Sequence, residues 1–208
     1  MAWNTDLFLL LNASEAPGHV MLLAAGAVAS LPVLLAPVLL TLLWVWGPPE
    51  RRSALLAVAA GLFAGQGLNL LLGTLWFEPR PFMVGMGHTW LAHAADNGFP
   101  SDHATLAWSL GLGLVLTGAS RPLGVLACLA GVAAGWARVY LGIHFPVDVL
   151  AAAPIGLLVA LAAVLATPVM RAWITPPVER LYEAVIAKLP AHLPLPRRGS
   201  SHQGGGRR

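Results

Sequence analysis

Six ionisable side chains and one serine form three short clusters in a chain that is otherwise nearly all apolar. They are Arg80-Pro81, then Pro100-Ser101-Asp102-His103, then Arg138 with His144 and Asp148. Only 10% of the residues are charged and 57% are hydrophobic, so charge at the ends of apolar runs needs a reason. Arg80 and Arg138 can each present a planar fork of donors to phosphate oxygens. Their charge would stabilise the oxygens of a phosphoryl-transfer transition state, where positioning and electrostatics do most of the catalysis. Asp148, four residues after His144, can bond one ring nitrogen, fix the tautomer and leave the other nitrogen free to attack. A His–Asp bond of purely structural use is the plainer alternative. Pro100 before Ser101 marks a helix start, with Ser101 as N-cap and the free N–H groups as an anion cradle. Simple capping, with Asp102 complementing the helix dipole, is the alternative there. His103 in the same turn favours chemistry. A His/Asp cluster can also bind metal, but two neighbouring arginines disfavour a cation, so neither metal nor cofactor is expected.

The elements that must position these groups are apolar segments. Mean hydropathy is +0.73, and the runs fall at about 19–46, 53–77, 103–119, 122–140 and 147–168. Roughly 20 apolar residues cross a hydrocarbon core of about 30 Å, and lipid forces backbone groups to bond within the segment. The chain is therefore expected to be all-α, a polytopic membrane helical bundle of five or six spans in one domain over residues 1–189. Pro32 and Pro37 predict a kinked or split first run. A short interfacial helix is expected over 4–13, and no Lys or Arg precedes it as in a signal peptide. Residues 169–189 read as an amphipathic interfacial helix bounded by prolines, and 190–208 as a disordered basic tail. Cys128 stands alone, so it forms no internal disulfide and is expected to pack. Although the pI is about 9.8, the charges are too scattered for a nucleic-acid partner. Trp44, Trp46, Trp76 and Trp173 read as interfacial anchors, and Gln66 and Asn69 as interhelical hydrogen-bonding residues.

Placement of Lys and Arg orients the bundle. If Glu50-Arg51-Arg52 is cytoplasmic, alternating spans put Arg121 and everything after Pro168 on that side. Of the twelve Lys and Arg residues, only Arg80 and Arg138 remain on the other face, together with Ser101, Asp102, His103, His144 and Asp148. Three clusters distant in sequence thus share one membrane level, which marks a site.

The clusters resemble the motifs of the type 2 phosphatidic acid phosphatase superfamily, the lipid phosphate phosphatases that share an active site with vanadium haloperoxidases. Phe77-Glu78-Pro79-Arg80-Pro81-Phe82 is similar to the end of its first motif, and Phe99-Pro100-Ser101-Asp102-His103-Ala104 to its second. Ala137-Arg138, His144 and Asp148 match the third with the same gaps. The resemblance implies that His144 is a nucleophile forming a phosphohistidine, that Asp148 orients it, and that His103 protonates the leaving oxygen. It also implies that Arg80, Arg138, Ser101 and the backbone near Asp102 hold the phosphate. Gly73 stands at the family's lysine position, Asp102 replaces a glycine, and Ala137 replaces a serine.

The Pro-Ser-Asp-His variant, with Arg-Pro-Phe before it, is similar to the bacterial undecaprenyl-diphosphatase branch. That likeness implies dephosphorylation of undecaprenyl diphosphate on the outer face of the plasma membrane, recycling a cell-wall lipid carrier, with the C-terminus cytoplasmic. Residues 82–99 then read as a lid whose His88, His93 and Asp96 are candidate accessory groups, with local hydrogen bonding as the alternative. The expected partners are a polyprenyl or other lipid phosphate and the surrounding membrane lipids. Alternatives are a phosphatase for phosphatidic acid or phosphatidylglycerol phosphate, or a phosphotransferase to an outer-leaflet lipid. A lipid transporter is a third, but its polar groups should line a path across the bilayer midplane.

Overall fold

The structure is a computed structural model that describes residues 2–190. A short helix α1 (Ala2–Leu11) precedes α2 (His19–Trp46), and a 3-10 turn at Pro49–Arg51 leads into α3 (Arg52–Leu75). After the loop come α4 (Asp102–Leu116), α5 (Arg121–Tyr140) and α6 (Pro146–Val169), and finally α7 (Thr175–Lys188). No strand occurs among the described residues. Four helical segments are long and apolar enough to cross a membrane: His19–Trp46, Pro49–Leu75, Arg121–Tyr140 and Pro146–Lys188. The protein is an all-α, multi-pass membrane bundle.

α4 is the hub, packed against α5, α6, α3 and α2. Its 15 residues rise only about 22 Å, less than the ~30 Å of hydrocarbon. Small residues let the helices approach closely, as expected where lipid offers no hydrophobic drive between them. Gly111 of α4 meets Gly124 and Cys128 of α5, Gly156 of α6 meets Trp108, and Gly61 and Gly65 of α3 meet Val159. Cys128 is thus a packing residue. The outside is apolar, with Phe63, Leu70 and Leu165 among the most exposed side chains, an inversion that suits lipid as the solvent.

The structure differs from the sequence expectation in two places, the first helical run and the bounds of the N-terminal helix. Pro32 and Pro37 do not split α2, which runs unbroken from His19 to Trp46. The C-terminal helix expected over 169–189 is α7, Thr175–Lys188, and Pro168 does not break the chain before it. A π turn, Met170–Ile174, joins α6 to α7, and Thr175 donates its hydroxyl to the Met170 carbonyl at 2.9 Å. A π turn shifts the bonding pattern by one residue, and Pro176 and Pro177 then fall in the first turn of α7, where no donor is needed. The Trp44 ring packs edge-on against Tyr182 and beneath the Arg52 guanidinium. The N-terminal helix occupies Ala2–Leu11 rather than 4–13. Of the basic tail expected over 190–208, all but Pro190 lies outside the described residues.

The two ends of the bundle differ. At one, Arg51 donates to the Ala119 carbonyl at 3.1 Å, and Arg52 pairs with Glu179 at 3.1 Å. The other gathers the end of α3, the starts of α4 and α6, the end of α5, and the loop 82–99. All three polar clusters meet there.

Candidate active site

Pro146 is the first residue of α6, so its missing N–H costs nothing and its fixed φ suits the helix start. Asp148 then falls in the first turn, where its Oδ2 accepts the Phe145 N–H at 2.8 Å. The same oxygen lies 3.4 Å from His144 Nδ1, and both side chains are about 2% exposed. His144 therefore turns its other nitrogen, Nε2, away from the carboxylate. There Arg80 Nη1 stands 3.1 Å away.

Arg80 is locked in place. Its Nε donates to Asp96 Oδ1 at 2.8 Å, Nη1 to the Ile143 carbonyl at 2.9 Å, and Nη2 to the Asn97 carbonyl at 2.9 Å. Arg138, in the last turn of α5, reaches His93 Nε2 from Nη2 at 3.3 Å. His93 Nδ1 lies 3.2 Å from the Ala94 carbonyl, so the Nδ1–H tautomer satisfies both contacts. The His93 and His144 rings meet edge-on, 6.4 Å between centroids. His103, in the first turn of α4, lies within the fields of Arg138, His93 and Arg80.

Ser101 holds the N-cap position of α4, but its hydroxyl caps nothing. It is buried, and among the described residues neither Ser101 Oγ nor Arg138 Nε has a hydrogen-bond partner. A buried unsatisfied polar atom carries a desolvation penalty of about 1–3 kcal/mol, which a bound acceptor would relieve; Arg52 Nε, Ser109 Oγ and the Tyr182 hydroxyl share the condition away from this group. The Ser101 N–H is used differently, donating to the Asp148 carbonyl at 3.0 Å and tying α4 to α6.

Asp102 turns its carboxylate sideways. Its Oδ1 accepts from Asn69 at 2.9 Å, and its carbonyl accepts from Gln66 at 3.3 Å. Gln66 and Asn69 are thus the interhelical hydrogen-bonding residues expected, and Asn69 also reaches Thr105 at 3.0 Å. A cavity of about 380 Å³ opens beside this group, lined by Gly73, Arg80, Asp96, Asn97, Pro100 and Asp102 among others.

Gly73 has a physical reason that its sequence position did not reveal. A Cβ there would stand 2.7 Å from Asn97 Nδ2. Asn97 Oδ1 accepts the Glu78 N–H at 2.7 Å, Nδ2 donates to the Phe99 carbonyl, and the Asn97 carbonyl accepts from Arg80. Asn97 therefore occupies the space beside the position where the motif has lysine. Sequence reasoning missed it. The available signal was Asp96-Asn97-Gly98, a run of turn-forming residues. His88 of the same loop joins through its main chain, to Asn12, at 2.7 and 2.9 Å.

Electrostatics favour uncharged rings at the loop positions. Burial, followed by the charges of Arg138 and Arg80, holds the His144 pKa well below its usual 6.5, with the Gly98 carbonyl opposing. Burial and then Arg80 lower His93, while Asp96 partly offsets them. A neutral imidazole keeps a lone pair for attack.

The PAP2 superfamily model matches residues 54–171, from the first turn of α3 into the π turn. A putative undecaprenyl-diphosphatase of Escherichia coli, YbjG, is 34% identical over 160 residues, covering 77% of this chain and 80% of its own length. The undecaprenyl-diphosphatase BcrC of Bacillus subtilis is 32% identical over 151 residues, 73% of this chain and 77% of that one. Among solved structures, LpxE of Aquifex aeolicus superposes with a TM-score of 0.66 at 24% identity, covering 78% of this chain and 95% of that chain. The matched segment contains every residue of the three clusters, and the described helices bring them to one end of one bundle. The chain belongs to the PAP2 superfamily.

Proposed function

We propose that this protein is a lipid diphosphate phosphatase that converts undecaprenyl diphosphate to undecaprenyl phosphate through a phosphohistidine. The observation that carries the chemistry is the buried His144, backed by Asp148, with Arg80 at its Nε2 and unsatisfied donors on Ser101 and Arg138 nearby. The substrate rests on the printed names of two relatives that match about three-quarters of the chain.

In this reading the terminal phosphate sits among Arg80, Arg138 and Ser101. His144 Nε2 attacks phosphorus in line, and the bond from phosphorus to the bridging oxygen breaks. His103 gives that oxygen a proton, although undecaprenyl phosphate is already a fair leaving group. Asp148 stabilises the charge that develops on the ring. Water then attacks the phosphohistidine, His103 takes its proton, the N–P bond breaks and inorganic phosphate leaves. Asp96 and His93 fix the two arginines before substrate arrives, and Asp102 is held aside by Asn69. The arginines supply the positive charge a metal would otherwise provide, so catalysis is metal-independent. Charge distribution supports an active site on the outer face of a bacterial plasma membrane and a cytoplasmic C-terminus.

Phosphate release from C55 diphosphate by purified protein, with and without chelator, tests this directly. Chelator-resistant release, lost in His144→Ala, supports the reading. Activity abolished by chelator and restored by Zn²⁺ or Mg²⁺ refutes the mechanism, and faster turnover of phosphatidic acid refutes the substrate.

A further inference from the structure

Helix α1 lies outside the segment that matches the family model, and from sequence it reads only as an interfacial helix. Its structure assigns it more. Asn4 and Phe8, spaced by four, share one face of α1, Asn12 follows its last residue, and each touches the segment that carries His144 or its flanks. Asn4 Oδ1 accepts the Val147 N–H at 3.0 Å, one of the donors that the start of α6 cannot satisfy itself. Phe8 is fully buried and meets Phe145 edge-on, 5.2 Å between centroids. Asn12 donates to the Tyr140 carbonyl at 3.1 Å and the His88 carbonyl at 2.9 Å, and accepts the His88 N–H at 2.7 Å. Backbone bonds extend the seam: Ala13 N–H to the Tyr140 carbonyl at 2.9 Å and Trp90 N–H to the Leu141 carbonyl at 3.0 Å.

The partners are shaped for this contact. Gly87 and Gly142 have φ of +65° and +78°; a Cβ on Gly87 would run into Asn12 and Phe8, and one on Gly142 into the His88 carbonyl that Asn12 holds. Tyr140 ends α5 and Val147 lies in the first turn of α6, so α1 grips both ends of the short link that carries His144. The opposite face of α1, with Leu9 and Leu10, is exposed.

We propose that α1 is a splint for the nucleophile, with Asn4 and Asn12 as positioning residues that fix the line of attack of His144 Nε2. Asn12 also couples that link to the loop carrying His93 and Asp96. The link bonds back to α5 through the Leu141, Gly142 and Ile143 N–H groups and forward from Phe145 to Asp148. Helix α1 adds bonds from outside, and a reacting atom displaced by about 1 Å can cost about 100-fold in rate. The inference rests on His144 as the nucleophile, but not on which lipid is hydrolysed.

The test compares wild type, Asn4→Leu, Asn4→Asp and Asn12→Leu in detergent, by steady-state kinetics and by backbone hydrogen exchange. Asn4→Leu and Asn12→Leu are expected to lower kcat about tenfold or more, with KM within about twofold of wild type. Exchange should quicken over residues 141–148 while α2 and α3 keep their protection. Asn4→Asp keeps an acceptor at a helix N-terminus and should restore kcat to within about threefold. Unchanged exchange over 141–148 overturns the splint, as does faster exchange there with kcat unaltered, or an Asp variant as poor as Leu. The exchange measurement uses no substrate. A wild type inert toward C55 diphosphate but active on another lipid phosphate refutes the proposed substrate alone, and the kinetic split is then read on that other lipid.

Discussion

Ser101 separates binding from folding more cleanly than any other residue of the site. Its buried hydroxyl has no partner among the described residues, so Ser101→Ala should leave thermal stability unchanged or slightly raised. The same change should lower kcat/KM for lipid diphosphate about 100-fold, the usual effect of removing one donor to a developing oxyanion. A variant that melts early at full specific activity would show the hydroxyl to be structural. His144→Ala should lose at least about 10⁴-fold in kcat, and His103→Ala about 10²–10⁴-fold, both measured as phosphate release. Gly73→Lys, which rebuilds the family motif on paper, should reduce activity, because its Cβ stands 2.7 Å from Asn97 Nδ2. Gly73→Lys with Asn97→Gly should recover part of the loss, and a double variant no better than the single one would show that the crowding is not the cause.

At the scale of elements, Arg52 clasps three helices at the end of the bundle away from the site. Arg52 is 5% exposed, pairs with Glu179, and lies about 5 Å from the rings of both Trp44 and Tyr182. It thereby ties α2, α3 and α7 together, and a desolvated guanidinium between two rings contributes more than an exposed one. Arg52→Leu is expected to destabilise the protein by about 2 kcal/mol, seen as a lower thermal midpoint in detergent. The kcat of the folded fraction should stay unchanged. A kcat that falls with the midpoint intact would mean that the two ends communicate. Sequence reading placed the five apolar runs within a few residues of α2 to α6, because lipid imposes both length and composition on a spanning helix. It did not foresee that α6 and α7 form one continuous rod, since a proline in sequence does not show whether a π turn will absorb it.

For the molecule as a whole, buried His144 and half-buried His93 link stability to pH. His144 and His93 both have pKa values lowered in the folded protein, while in the unfolded chain they titrate near 6.5. Below about pH 6.5 the unfolded state therefore binds more protons, and stability falls as pH falls. The contribution of the neutral rings is fully present above that pH, and is lost as pH drops toward the folded values. The limiting slope is about 1.4 kcal/mol per pH unit for each ring. Thermal midpoints at pH 7.5, 6.5 and 5.5 should fall over the lower interval, and fall less in His144→Gln. A midpoint that rises on acidification would show that carboxylates dominate instead.

The sequence by itself determined the membrane class, the five long apolar segments and the shared end of the three clusters. Each follows from a local quantity, since hydropathy, span alternation and the sparse placement of charge can all be counted along the chain. It also named the ionisable groups of the candidate site, because such groups are rare in an apolar chain. Only the tertiary structure decided what each group touches. Ser101 turns its hydroxyl away from capping, Asp102 is drawn aside by Asn69, and Asn97 crowds Gly73. The seam from Asn4 to Val147 and from Asn12 to Tyr140 joins residues more than a hundred positions apart. No periodicity encodes such pairings, because a hydrogen bond between distant segments depends on where the packed helices bring their ends.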